Sequence, residues 1–220
     1  MPKYNTEAIR SVAFVGHGAA GKTTLTEALL AKAGAISAPG SVEAGNTVSD
    51  FDPLEKSYGH SLNSSLANFA WRGVHVHLID TPGYPDFSGQ AISALAGVDT
   101  AVAVVNAQSG IELNTVRMMK WAAARNLCRM IVINKIDADN VDLPGVLASI
   151  QELFGKECLP INLPAMGNTR VVDCFFNPDG ESDFSSVKTA HAALVDQVVE
   201  VDEALMALYL EQGEISAEQL

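Results

Sequence analysis

Short apolar runs rich in β-branched residues alternate along the first half of the chain with stretches whose apolar positions recur every three or four residues. That alternation predicts strands buried in a mostly parallel sheet and joined by crossover helices. Residues 11–16 read as the first buried strand. Residues 23–33 follow as a helix, with Leu25, Ala28, Leu29 and Lys32 at helical spacing. Residues 34–53 carry Gly, Pro, Ser and Asp without a period and predict a mobile loop. Residues 64–71 and 74–80 are separated by Arg72 and Gly73 alone, which predicts a β-hairpin. Residues 100–106 and 130–134 are further buried strands, and 88–96 and 114–126 are the helices between them.

Beyond Asp137 the pattern changes. Residues 144–154 predict a helix with Pro144 in its first turn, where a missing N–H costs least. Residues 159–163 and 169–176 predict two strands, 177–183 a turn-rich tip, and 187–212 one long helical stretch. The expected division is a core over residues 1–157 and a small α+β insertion with its returning helix over 158–220.

Composition narrows the partners. Net charge is −12 over 220 residues, so no broad basic face is available for direct nucleic-acid binding. Phosphate can still be held locally, by backbone N–H groups and one lysine. No apolar run approaches the roughly 18 residues of a membrane span, and the N-terminus lacks a signal-peptide pattern. Cys128, Cys158 and Cys174 show no CxxC spacing. They are expected to be small buried thiols in a reducing cytoplasm.

Gly16, His17, Gly18, Ala19, Ala20, Gly21, Lys22 and Thr23 match G-x-x-x-x-G-K-[ST] between a strand and a helix. The glycines let the backbone wrap a phosphate, and the helix N-terminus points at it. Lys22 is expected to bridge β- and γ-phosphate oxygens, Thr23 to ligate Mg²⁺, and Thr24 to complete the nucleotide-binding run. Asp80, Thr81, Pro82 and Gly83 close a buried strand. Asp80 there suits a carboxylate holding Mg²⁺ through water, and the Gly83 N–H suits a γ-phosphate contact. Asn134, Lys135 and Asp137 follow another strand. The Asp137 carboxylate can accept from guanine N1–H and its 2-amino group, an arrangement adenine lacks. Asn134 would tie this loop to the phosphate loop, and the Lys135 stem would cover the base.

With these residues in hand, the chain resembles the G domain of elongation factor G, especially the elongation-factor-G-like branch. The resemblance runs through most of the chain. Residues 80–87 (DTPGYPDF) resemble the family's D-T-P-G-H-x-D-F. Tyr58, Gly59, His60 and Ser61 resemble its first switch, R-G-I-T, which puts Ser61 in the place of the threonine that closes over Mg²⁺. The bland alternative for Ser61 is a serine in a loop before a strand. Residues 159–176 and 198–218 resemble the opening strands and closing helix of the family's inserted subdomain, with a shorter stretch between. The resemblance implies a Ras-like P-loop NTPase fold, three-layer α/β/α with a mixed, mostly parallel sheet. It also implies GTP and GDP with Mg²⁺, GTP hydrolysis, the ribosome as partner and a monomer.

Three departures stand out. Tyr84 replaces the family histidine that positions the attacking water, and a phenol keeps its proton at neutral pH. Ala19 replaces an aspartate of the phosphate loop. The fifth G motif behind the guanine base is absent, so the chain is expected to stop before the last sheet strand. Tyr84, Lys22 and Gly83 remain the catalytic candidates. Two alternatives stay open. One is a guanine-nucleotide switch that hydrolyses slowly or not at all; the other is the G domain of a release factor or a ribosomal-protection protein. Elsewhere, His75 and His77 are expected to be solvated strand residues, and Met118, Met119 and Trp121 to pack in the core.

Overall fold

The computed structural model describes residues 4–217 and 219. The chain forms two compact units, Met1–Lys135 and Ile136–Leu220. The first is built on β1 (Ile9–Val15), β2 (Ser65–Trp71), β3 (Val74–Asp80), β4 (Thr100–Asn106) and β5 (Cys128–Asn134). Their order in the sheet is β2-β3-β1-β4-β5. The β2–β3 pair is antiparallel and the other pairs are parallel. Arg72 and Gly73 both take positive φ, 46° and 83°, which is what a two-residue hairpin turn requires.

Helices α1 (Lys22–Lys32), α2 (Pro53–Tyr58), α3 (Ser88–Leu95) and α4 (Leu113–Ala124) lie between the strands. From β1 the chain steps to β3 on one side. From β3 it passes back over β1 to β4. Right-handed crossovers therefore put α1 on one face and α3 and α4 on the other, giving three layers. The connection after β1 runs to one face and those after its neighbours β3 and β4 run to the opposite face. The crevice of a doubly wound sheet opens at the C-terminal ends of such strands.

The central strands explain the apolar runs. Ala13 and Val15 of β1 and Ala101, Ala103 and Val104 of β4 are wholly buried. A strand covered on both faces has no need of polar alternation. Phe14, Ala20, Leu78, Val102 and Val104 form one cluster, with Leu25, Leu29, Phe69 and Val132 packed against it.

Several expectations change. β5 is an edge strand, with Cys128, Arg129 and Met130 exposed, because β4 is its one sheet partner among the described residues. Trp121 is exposed beneath the Arg125 guanidinium, whereas Met118 and Met119 are buried as expected. His75 and His77 are half-buried rather than solvated, since Tyr4 stacks on His75 at 4.4 Å and His77 stands edge-on to it at 4.7 Å. The most buried face of α1 carries Lys22, Thr23, Thr26, Glu27 and Leu30, not the purely apolar stripe. Residues 34–52 form the loop, which ends one residue earlier than expected because Pro53 opens α2, and Thr47, Ser49 and Asp50 within it are buried. Of the cysteines only Cys174 is buried; Cys158 is half-buried.

The second unit contains α5 (Leu143–Phe154), β6 (Asn162–Ala165), β7 (Arg170–Asp173), α6 (Val187–Val201) and α7 (Glu203–Gln212). The antiparallel β6–β7 pair and α6 share a small core of Leu163, Cys174, Val187 and Leu194. The predicted long helix is broken at Asp202, which takes extended backbone (φ −124°, ψ 110°). Its carboxylate accepts from the N–H groups of Ala204 and Leu205 at 2.9 and 3.0 Å. A capping side chain inside a helical run thus ends one helix and starts the next. No helix of the described residues is long and apolar enough to cross a membrane.

Candidate nucleotide site

The loop between β1 and α1 is shaped by alternating backbone handedness. Gly16, Ala19 and Gly21 take φ of 135°, 59° and 94°. Gly21 is the N-cap of α1 and has no side chain to cap it, so the amides of the first turn are unclaimed by the helix. Together with the partial positive charge of a helix N-terminus, they form an anion cradle. Any side chain at Gly21 would also run into the Asn134 carboxamide. The Asn134 Nδ2 donates to the Ala20 carbonyl at 2.9 Å and fastens the end of β5 to this loop.

Lys22 is buried within the loop and donates to the carbonyls of His17 at 2.7 Å and Gly16 at 3.2 Å. Burial lowers its pKa to about 8, against the opposing pull of Asp80 and Glu112. Two carbonyl dipoles do not neutralise a buried ammonium, and an anion would. His17 is half-exposed, and its Nε2 lies 3.3 Å from Glu112 Oε1. Ala19 and Thr24 are exposed.

On the other side of Thr23 lies an oxygen-rich cluster. The Thr23 hydroxyl donates to Asp80 Oδ2 at 2.7 Å and lies 3.3 Å from the Ser61 hydroxyl. Ser61 in turn donates to Asp50 Oδ1 at 2.7 Å. Asp80 Oδ1 and Asp50 Oδ2 are buried with no hydrogen-bond donor among the described residues. Burial raises the Asp80 pKa to about 6, opposed by the Thr23 hydroxyl and Lys22 and reinforced by Asp50. Two buried carboxylates, two hydroxyls and unpaired oxygens are the donor set of a hard divalent cation.

Gly83 closes the site. A Cβ there would stand 2.5 Å from the His17 carbonyl oxygen and 2.6 Å from Gly18 N, and would also meet the Lys22 ammonium. Asn114 Nδ2 holds the Gly83 carbonyl at 2.9 Å. Tyr84 follows with 38% of its surface exposed, so its phenol stands at the mouth of the site. Lys135 is exposed with φ 59°, and its stem lies beside Gly21. The first unit thus brings together every predicted site residue except Asp137, which is exposed in the second.

Residues 7–214 match the model of the elongation factor Tu GTP-binding domain. The chain belongs to that family. An elongation factor G-like protein of Mycobacterium tuberculosis is 35% identical over 92% of this chain and 30% of its own length. The mitochondrial ribosome-releasing factor 2 of Culex quinquefasciatus is 35% identical over 75% of this chain and 22% of its own. A crystal structure of a Thermus thermophilus protein superposes with a TM-score of 0.85 at 35% identity, covering 96% of this chain and 34% of that one. The chain therefore spans about a third or less of the curated relatives it matches. Membership makes it a guanine-nucleotide-binding domain of the translational GTPase class.

Within this GTP-binding domain three residues escaped the sequence reading. Asp50 sits in a Ser-Asp-Phe-Asp-Pro stretch that looks like any polar turn. Asn114 looks like a helix-start residue. Glu27 accepts from the N–H groups of Gly40 at 2.7 Å and Val48 at 2.6 Å and so ties the long loop to α1. Its position four residues after Thr23 was the available signal, because that spacing puts both on one helix face.

Proposed function

We propose that the protein carrying this chain binds GTP and GDP with Mg²⁺ and hydrolyses GTP on the ribosome. The observation that carries this is the pairing of two opposite sites across Thr23. A buried Lys22 ammonium and uncapped helix amides lie on one side, and the Asp80–Asp50 carboxylates with unpaired oxygens on the other. A phosphate chain chelating a cation satisfies both at once.

In this reading Gly16 to Thr24 embrace the phosphates, and Thr23, Ser61 and Asp80 hold Mg²⁺, Asp80 through water, with Asp50 behind Ser61. The cation, when bound, offsets charge on the phosphate oxygens. Asn134 braces the phosphate loop, Lys135 covers the base and Asp137 selects guanine. Water forms a bond to the γ-phosphorus as the bond to the bridging oxygen breaks. GDP and phosphate leave, and the water proton ends on the phosphate. Lys22 meets charge developing on the β–γ bridge, Gly83 N–H holds the γ-phosphate, and Tyr84 faces the attacking water. We place the protein in the cytoplasm as a monomer that engages the ribosome through protein surfaces, without direct nucleic-acid binding by this chain. The GTPase core is assigned to residues 1–157 and an inserted subdomain to 158–220.

Titration with fluorescent GDP, GTP and ATP analogues in Mg²⁺ tests the reading. Binding of both guanine nucleotides and not of ATP is expected; equal ATP binding would remove the role of Asp137. A second reading, a switch with slow hydrolysis, is favoured by Tyr84, because a phenol accepts protons poorly. Under it, Tyr84→His raises single-turnover hydrolysis with ribosomes, and an unchanged rate would dismiss it.

A further inference from the structure

We propose that His60 is a positioning residue for GTP hydrolysis, supplying from the loop after α2 the imidazole acceptor that Tyr84 does not carry. The proposal rests on the GTPase reading above.

Tyr84 lies directly on the phosphate loop: a Cβ at Gly18 would stand 3.0 Å from its Cζ and 3.1 Å from Cε2. The residue at the mouth of the site is therefore a good hydrogen-bond donor and a poor proton acceptor. An attacking water needs an acceptor to orient it. The ring nearest to Tyr84 is His60, at a centroid distance of 4.5 Å and a tilt of 52°. Phe87 and Tyr58 flank His60 at 6.2 and 5.8 Å. These three rings hold the half-buried imidazole against Tyr84.

The tautomer follows from its partner. His60 Nδ1 lies 3.3 Å from the Ser61 carbonyl oxygen. A carbonyl can only accept, so Nδ1 carries the hydrogen and the lone pair of the neutral ring is on Nε2. No described residue engages that Nε2. The anchor is informative too, because Ser61 is the residue whose hydroxyl reaches Asp50 and Thr23. Whatever brings Ser61 to the oxygen cluster brings His60 to Tyr84 with it.

The other imidazole of the site is a weaker candidate. His17 is 6.4 Å from Tyr84, and its Nε2 is directed to Glu112. Its Nδ1 is buried against the protein.

The test compares His60→Ala, His60→Phe and His60→Gln with wild type, measuring affinity for a fluorescent GTP analogue and single-turnover GTP hydrolysis with ribosomes. Phe keeps a ring against Tyr84 and loses both nitrogens. Gln sets a carboxamide near the Nε2 position. Expected is a loss of at least about 10-fold in the hydrolysis rate for Ala and Phe, with GTP affinity within about 2-fold and substantial recovery in Gln. Wild-type speed in His60→Phe would overturn the assignment and leave the GTPase reading standing. Equal slowing in Phe and Gln would reduce His60 to packing and overturn it as well. Failure of the wild type to bind guanine nucleotide would overturn both readings together.

Discussion

The Thr23 hydroxyl donates to Asp80 Oδ2 at 2.7 Å and joins the first turn of α1 to the end of β3. Through this bond the phosphate side and the cation side of the site share one residue. Asp80→Asn keeps the shape and removes the charge. The gain in GTP affinity on adding Mg²⁺ should fall by about 10–100-fold, while affinity in chelator stays within about 3-fold. Paired titrations of the two proteins, with Mg²⁺ and with chelator, measure both numbers. A full Mg²⁺ gain in the variant would place the cation elsewhere.

Lys22 gives the pH prediction. Its pKa of about 8 lies below the ordinary 10.5 because burial disfavours the ammonium. Between these values the unfolded chain binds more protons than the folded one, so this group's contribution to stability rises with pH. Below pH 8 the burial cost is present in full, about 3 kcal/mol at the standard conversion per pKa unit. Replacing Lys22 by Met should therefore stabilise the nucleotide-free chain at pH 7 by roughly 2–3 kcal/mol. The advantage should shrink steadily toward pH 10. Urea unfolding of both proteins at several pH values checks it; a difference independent of pH would mean that Lys22 is not costly when charged.

Glu27 makes a third prediction. Its buried carboxylate receives two loop amides, from Gly40 and Val48, at 2.7 and 2.6 Å. Carboxylate bonds of this kind contribute about 1.5–3 kcal/mol each, and the loop has no other tie of comparable charge to α1 among the described residues. Glu27→Ala should release residues 40–48, and with them the approach of Asp50 to Ser61. Amide hydrogen exchange is the direct measurement: protection at Gly40 and Val48 should drop at least 10-fold while that of β1 and β4 changes little. Unchanged protection at Val48 would show that Thr47 and Ser49 hold the loop unaided.

What could be read in advance followed from local rules. The strand at β4 agrees with its apolar run to the residue, because both faces of that strand are covered and nothing competes with the hydrophobic pattern. Lys22, Thr23, Asp80 and Asn134 could be nominated because each of their three motifs demands particular residues at fixed spacing, and the structure brings Thr23 to Asp80 and Asn134 to the phosphate loop. Glu27 and Asp50 were not. Each is tied by partners 11 to 21 residues along the chain; Glu27 offered only the helix face it shares with Thr23, and Asp50 no local sign that a hydroxyl would meet it. Asp202 failed differently, since its neighbours favour helix on both sides and one capping carboxylate divides them.

Gly83 is the point at which these contacts bear on the nucleotide state. Its Cα faces the His17 carbonyl, Gly18 N and the Lys22 ammonium so closely that a methyl group overlaps backbone as well as side chain. A lysine tip can swing aside, but the two backbone atoms belong to the phosphate loop and cannot move without spoiling it. In Gly83→Ala the segment after β3 must retreat instead, taking Tyr84 with it. Asp80 lies three residues earlier, in the buried end of β3, and Thr81 is fixed by a 2.6 Å bond to the Phe14 carbonyl. The retreat is therefore confined to Pro82 and beyond. GDP, which lacks the γ-phosphate, should bind within about 3-fold of wild type, whereas hydrolysis should fall by about 100-fold or more, the scale of a lost transition-state donor. Fluorescent-nucleotide titration and single-turnover hydrolysis with ribosomes separate the two effects. Loss of GDP binding in step with GTP would mean that the clash had distorted the phosphate loop itself, and that Gly83 serves its shape rather than the γ-phosphate.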